Sequence, residues 1–402
     1  MLKRGSPLIA ASMLIGGLLL STVGAASAAP VTPQFTITAD RAAAIPAGHR
    51  WAFNDFFPRT ATIATGGTFQ FTNGGGFHTA TLLPANWSVA ADNDVNGLLA
   101  ADIDDTALNP NGTIKTVEDI PAILPVPAQG CGTPDAPCVF DGTGVVSMGA
   151  PLAGPPAPLV VTVTAPPGTY SFHCRVHPWM AGTLNVVAAG ATGVTTAASA
   201  DAAAATQAAA DVVAGLAAEA AVSKAGQVKH ANGTTTWTLT VGTSDPAGHV
   251  AVLDMLPRKV TIKKGDSVVW RPLDRNEPHT VTFPKSLFPG DPSSPLCEGP
   301  RGQDTPAIPT VNPPMSPLDF GCNGRPADEF ELTGGNAVTV IASPKTVSDS
   351  GLVAYRTQPA GFDLPAMAVR SSWSVKFAGA KAGTYHYVCQ IHEGMEGDIV
   401  VH

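Results

Sequence analysis

Cys174-Arg175-Val176-His177-Pro178-Trp179-Met180 and Cys389-Gln390-Ile391-His392-Glu393-Gly394-Met395 share one pattern, Cys-x2-His-x2-Met. Each follows a Gly-Thr-Tyr run (Gly168-Thr169-Tyr170 and Gly383-Thr384-Tyr385) and precedes a glycine, Gly182 or Gly397, that enters the last strand-like run of its half. A thiolate, an imidazole and a thioether on one short loop form a soft, mixed sulfur and nitrogen donor set. Such a set suits copper, which can cycle between Cu(I) and Cu(II) without large ligand movement. The donor still missing is a second imidazole from an earlier strand. His78-Thr79-Ala80-Thr81 and His279-Thr280-Val281-Thr282 supply it in matching surroundings.

Outward from these loops the chain repeats itself. Pro46-Ala47-Gly48-His49 returns as Pro246-Ala247-Gly248-His249, and Phe57-Pro58-Arg59 returns as Leu256-Pro257-Arg258, with the order kept. One domain has been duplicated. Inside each copy the local pattern is β. Thr60 to Thr65 leads through Gly66-Gly67 into Thr68 to Thr72, and Val260 to Ile262 leads through Lys264-Gly265-Asp266 into Ser267 to Trp270. These β-branched and aromatic runs with turn residues between them read as hairpins. The expected fold is all-β, two tandem Greek-key sandwiches or barrels.

With both loops and both early histidines in place, each copy resembles a cupredoxin, or blue copper domain, and the short loop spacing resembles the amicyanin and plastocyanin-like members. The resemblance implies a type 1 copper site in each half: His78, Cys174 and His177 with Met180 as weak axial ligand, and His279, Cys389 and His392 with Met395. It implies one copper ion per domain, two per chain. Three strong ligands and a distant thioether leave no open position for substrate, so the implied role is electron transfer with a redox partner protein or a small-molecule donor or acceptor. In the family the loop histidine lies at the surface in an apolar patch through which electrons pass. Pro178 and Trp179 make that patch apolar in the first copy, Glu393 and Gly394 make it more polar in the second, and the two sites are expected to differ in docking partner or potential. Against all this stands the ordinary role of a buried Cys or Met as a core residue.

Two-domain copper enzymes are the rival reading, nitrite reductase-like or laccase-like, with an additional inter-domain or inter-subunit copper. The chain has no His-x-His, and Arg175 and Gln390 follow the two cysteines. His173 matches the nitrite reductase-like pattern before the cysteine, but Leu83 stands where a second histidine belongs. Strand alternation turns His173 to the face opposite Cys174, so it is expected as an outward polar residue. His49 and His249 are expected to bond local backbone, with a ligand role in an inter-domain or inter-subunit copper site as the alternative. His230, His386 and His402 show no partner in the sequence. A copper storage or delivery role is a third reading, which the presence of only eight methionines disfavours. Related two-domain copper proteins often form trimers, so a homo-oligomer is a further expectation.

The remaining features bound the setting. Lys3 and Arg4 precede an apolar stretch from Leu8 to Leu20 and a small-residue segment in which Ala26-Ser27-Ala28 fits a cleavage site, so residues 1–28 read as an export signal and the mature chain as secreted. Nothing later in the sequence reads as a membrane span. Cupredoxin domains are expected over 30–188 and 230–402. The Ala-rich residues 189–229 between them read as a linker, part helical and part flexible, with Ser199 or Asp201 as cap and little to bury. A docked helix is the alternative. Six cysteines in an exported chain divide into local disulfides, Cys131 with Cys138 and Cys297 with Cys322, and two thiolates held by metal. A formal net charge of −8 without a basic run excludes nucleic acid as a partner.

Overall fold

Strands rich in β-branched and aromatic residues are the main regular structure of the computed structural model, which describes residues 29–96, 131–149, 157–177, 179–285, 339–346, 348–350, 352–355, 369–389, 392 and 394–402. The export signal, the Cys297 and Cys322 pair, Pro178 and Glu393 lie outside the described residues.

The first half folds into two five-stranded sheets. One runs, in spatial order, Phe56–Phe57, Thr36–Ala39, Thr68–Asn73, Leu159–Val163 and Cys138–Phe140. The other runs Thr60–Ala64, Ala181–Val187, Gly168–His173, Thr81–Leu82 and Val146–Ser147. Their inner faces meet in one core, where Phe172 from the second sheet lies 5.0 Å from Phe56 and 5.4 Å from Phe71 of the first, centroid to centroid. A disulfide joins Cys131 to Cys138 beside this core.

The second half repeats the order. Val250–Leu256, Thr235–Ser244, Ser267–Leu273 and Trp373–Lys376 form one sheet, and Lys259–Ile262, Glu396–Val401, Gly383–Val388, Thr282–Phe283 and Ser348–Asp349 the other. Even the parallel pairs correspond. Thr36–Ala39 runs parallel to Thr68–Asn73 as Thr235–Ser244 does to Ser267–Leu273, and the last strand of each half runs parallel to the strand after its cis-proline. The fold is all-β in two layers, twice.

The expected hairpins are not hairpins. Thr60–Ala64 and Thr68–Asn73 lie in opposite sheets, as do Lys259–Ile262 and Ser267–Leu273. Each strand buries alternate residues on the shared core, so the Gly66-Gly67 turn carries the chain over the sandwich edge instead of folding it back within one sheet. Gly66, at φ +90°, takes the left-handed conformation this crossing needs.

The halves are joined by strand pairing and by a helix. Trp51–Phe53, from the first half, pairs antiparallel with the second-half strand Val250–Leu256, in the register Val250 to Phe53, Ala251 to Ala52 and Val252 to Trp51. Gly226–Lys229, at the end of the expected linker, adds a strand to Thr235–Ser244. The Ala-rich segment forms the helix α2 (Ala197–Ala221), after α1 (Val89–Asn96), and α2 is docked, not free. Thr196 caps it, with Ser199 as its reciprocal partner. Ala200, Ala204, Ala208, Asp211 and Gly215 form its buried stripe. Small side chains were read as having little to bury, yet they are what lets the backbone approach: a Cβ on Gly215 would stand 2.9 Å from both the Trp51 ring and Val250. Gln207 Nε2 donates to Asp55 Oδ2 (2.7 Å) and the Phe56 carbonyl (2.6 Å), fixing the helix along the seam.

Candidate metal centres

Each Cys-x2-His-x2-Met loop is closed by two backbone hydrogen bonds. Cys174 N–H donates to the Met180 carbonyl (2.9 Å) and Met180 N–H to the His177 carbonyl (3.0 Å); Cys389 and Met395 do the same at 2.8 and 3.2 Å. The antiparallel pairs Gly168–His173 with Ala181–Val187, and Gly383–Val388 with Glu396–Val401, hold the loop ends. This tight closure turns Cys, His and Met inward from one short segment, and both methionines are buried. The strand-end histidine arrives from the neighbouring strand's approach, His78 just before Thr81–Leu82 and His279 just before Thr282–Phe283.

The donors converge in both halves. His78 Nδ1 and His177 Nδ1 lie 2.9 Å apart, with Cys174 Sγ 3.5 Å from His177 Nδ1. His279 Nδ1 and His392 Nδ1 lie 3.1 Å apart, with Cys389 Sγ 3.6 Å from His392 Nδ1. A single ion with bonds of about 2.0–2.3 Å spans donors so spaced. The chemistry of the set, one thiolate and two imidazoles with a buried thioether on the same loop, fits copper. Backbone N–H groups of Thr79 and Thr280 each point at the cysteine sulfur from 3.3 Å, the kind of contact that tunes a thiolate centre.

Electrostatics favour the metal-binding form of the sulfur. Burial works against a thiolate, but the imidazoles of His177 and His78 outweigh it and hold the Cys174 thiol well below its usual value; those of His279 and His392 do the same for Cys389. Outside the donors, a carboxylate stands behind each first histidine. Asp40 Oδ2 lies 3.6 Å from His78 Nε2, and Asp274 Oδ2 lies 3.8 Å from His279 Nε2.

The first loop histidine is not a surface port. His177 is 3% exposed, because the second-half segment from Asp274 to Glu277 lies over the first loop. Glu277 Oε1 accepts from His177 Nε2 at 2.8 Å, Asn276 Oδ1 accepts from Trp179 N–H at 3.2 Å, and the Arg275 guanidinium stands 5.4 Å from the centre of the Trp179 ring. Trp179, expected as part of an outward apolar patch, therefore faces the other domain. Glu277 also reaches the second site, with Oε2 3.5 Å from His392 Nε2. Burial opposes its charge, but His177 and His392 hold the Glu277 carboxyl well below its ordinary range. The same carboxylate and the Cys389 thiolate overcome burial at His392 and push it up to about 10.

His173 is a second correction. It is fully buried rather than outward, with Nε2 2.7 Å from Asp92 Oδ2, and Arg175 Nε and Nη2 donate to the same carboxylate at 2.7 and 2.8 Å. The strand does turn it away from Cys174, but α1 covers that face and supplies the partner. His49 and His249 differ from expectation too. His49 Nδ1 lies 2.6 Å from Glu219 of α2, and His249 sits near Asp55 and Asp211. Arg59 already bonds both of those carboxylates, at 2.5 and 2.7 Å, so the positive charge this cluster needs is supplied by the protein. His386 pairs with Asp398 across a strand pair at 2.6 Å, and His230 with Thr236 at 2.8 Å.

Neither a protein-family model nor a curated protein matches the chain. Similar solved structures include auracyanin A, a "blue" copper protein from the green thermophilic photosynthetic bacterium Chloroflexus aurantiacus, at 21% identity and TM-score 0.23, covering 38% of this chain and 97% of that one. The reduced auracyanin of Roseiflexus castenholzii matches at 20% identity and TM-score 0.22, covering 39% and 98%. A reduced Cu(I) form of a mutant amicyanin matches at 14% identity and TM-score 0.19, covering 41% and 80%. What the two sites here can do follows from this chain's own donor atoms. The structure brings together six of the residues named from the sequence, His78, Cys174 and His177 and likewise His279, Cys389 and His392, with Met180 and Met395 buried on the same loops; sequence reading missed Glu277 and Asp92, and the visible signal for the first was an asymmetry, Gly76 standing two residues before His78 where Glu277 stands two before His279.

Proposed function

We propose that the chain is an exported electron-transfer protein with two type 1 copper centres, one held by His78, Cys174, His177 and Met180, the other by His279, Cys389, His392 and Met395. The observation that carries the proposal is the same buried convergence of two Nδ1 atoms and a thiolate in both halves, each beside a loop-borne methionine. Copper would supply one-electron exchange between Cu(I) and Cu(II). The protein's part is to keep the thiolate ionised, set a carboxylate near the outer nitrogen of each imidazole, and bury the donors so that they keep one arrangement in both oxidation states. Electrons would pass to and from a redox partner protein or a small-molecule donor or acceptor. Among the described residues no helix is long and apolar enough to cross a membrane.

Counting copper per purified chain and recording visible and paramagnetic resonance spectra tests this. Two coppers, each with an intense thiolate charge-transfer band, are expected. A copper with an ordinary tetragonal spectrum beyond these two would favour an enzyme, and no thiolate band would overturn the assignment.

A further inference from the structure

We propose that Glu277 is an electron bridge that couples the two centres into one unit, an inference that rests on the copper assignment above. Its two carboxylate oxygens face different domains. Oε1 accepts from His177 Nε2 at 2.8 Å, and Oε2 lies 3.5 Å from His392 Nε2. The opposite nitrogen of each of these rings, Nδ1, is the one that points to its own cysteine sulfur. The order of atoms is therefore donor centre, imidazole, carboxylate, imidazole, donor centre, with no other side chain needed between them.

Three further observations single out this residue. Glu277 is built in, its side chain 13% exposed, and its N–H faces Asp274 Oδ1 at 3.4 Å. Asp274 in turn stands behind His279, so the bridge and the second site share one anchor. The neighbours Arg275 and Asn276 seat the same segment on Trp179, beside the first site. Finally, the usual outward route through a loop histidine is closed for His177, whose outer nitrogen meets this carboxylate instead of solvent. The 2.8 Å contact with His177 has the length of a charge-assisted hydrogen bond, and the 3.5 Å approach to His392 is a looser ion pair.

The step is a one-electron exchange within the chain. The reduced centre becomes oxidised, the other becomes reduced, and Glu277 changes neither its protonation nor its bonding. No external oxidant or reductant is consumed. Either centre can then be filled or emptied through whichever domain meets the partner.

The test uses the full copper-loaded chain, with one centre reduced by a flash-generated reductant and re-equilibration followed optically, in wild type, E277Q and E277A. In wild type an internal phase independent of protein concentration is expected. Glu277→Gln keeps the volume but presents an NH2 group to one imidazole N–H, so the phase slows; Glu277→Ala removes it. Both variants should retain two thiolate bands, and both potentials should rise, because an anion beside the oxidised centres is gone. In the copper-free chain, nitrogen chemical shifts of His177 and His392 should move together in E277Q, which a contact to one domain alone would not produce. An internal phase unchanged in E277A with both bands intact would overturn the bridge, as would shifts confined to one histidine. A wild-type chain with no thiolate band would instead overturn the copper assignment, and the bridge with it.

Discussion

The two Cys-x2-His-x2-Met loops have similar donor spacings and unlike surroundings. Donor spacings differ by no more than a few tenths of an ångström, 2.9 against 3.1 Å between imidazoles and 3.5 against 3.6 Å from sulfur to nitrogen. Around the first loop, however, Arg175 and His173 are locked to Asp92 beneath α1, and Arg275, Asn276 and Glu277 cover it from the other domain. The second loop keeps His392 partly exposed, 12% for its side chain, and leans on Glu277 from the outside. The difference teaches that the same loop closure recurs with nearly the same donor spacings, whereas two of the groups that make the sites unequal, Asp92 and Glu277, come from residues far away in sequence.

The comparison breaks most sharply at the sulfurs. Cys174→Ser and Cys389→Ser should each abolish one thiolate band and one bound copper while leaving the other, as spectra and metal analysis would show. If either variant removed both bands, the centres could not be described as separate sites.

Asp92 tests the surroundings of the first site alone. Asp92→Ala leaves His173 and Arg175 buried without their counter-charge, a loss of about 3–5 kcal/mol. Heating the copper-loaded variant should bleach the first thiolate band well before the second. The wild-type pair has a pH signature as well. Burial opposes the charge, but His173 and Arg175 hold the Asp92 carboxyl below its ordinary value. A depressed folded-state value means stabilisation that is full above the unfolded carboxyl's value of about 3.9 and is lost as pH falls below it. Acid titration of Asp92→Asn should show a shallower decline there than wild type; an equal slope would mean that the trio does not act through charge.

The seam should respond equally on both sides. Gly215→Leu forces a side chain between Trp51 and Val250, and overpacking of this kind costs about 1–3 kcal/mol. Denaturant unfolding should show both halves destabilised, and proteolysis should cut α2 first. The smallest effect belongs to Trp179→Ala. Its stacking on Arg275 contributes about 0.5–2 kcal/mol, so site one should shift slightly in potential and site two not at all.

Much of this was legible in the chain. The donors and the duplication recur as contiguous short motifs, and local patterns are what a sequence displays most directly. The hairpins were misread because alternation marks a strand but not which sheet it joins: Thr60–Ala64 and Thr68–Asn73 alternate alike and part at Gly66-Gly67. The docking of α2 was hidden because an alanine stripe carries no apolar bulk, although closeness to Trp51 and Val250 is what it makes possible. Asp92 and His173 are partners 81 residues apart in the chain, and nothing local to either names the other.

The pairing of Trp51–Phe53 with Val250–Val252 has a consequence for origin. Residue 250 corresponds to residue 50 in the repeat, so the register matches each copy of the strand to itself in reverse. That is the isologous contact by which two identical single domains would dimerise about a twofold axis. Fusing such a dimer into one chain releases it from symmetry. Glu277 stands two residues before His279 where Gly76 stands two before His78, so a single carboxylate lies beside the loop histidines of both halves.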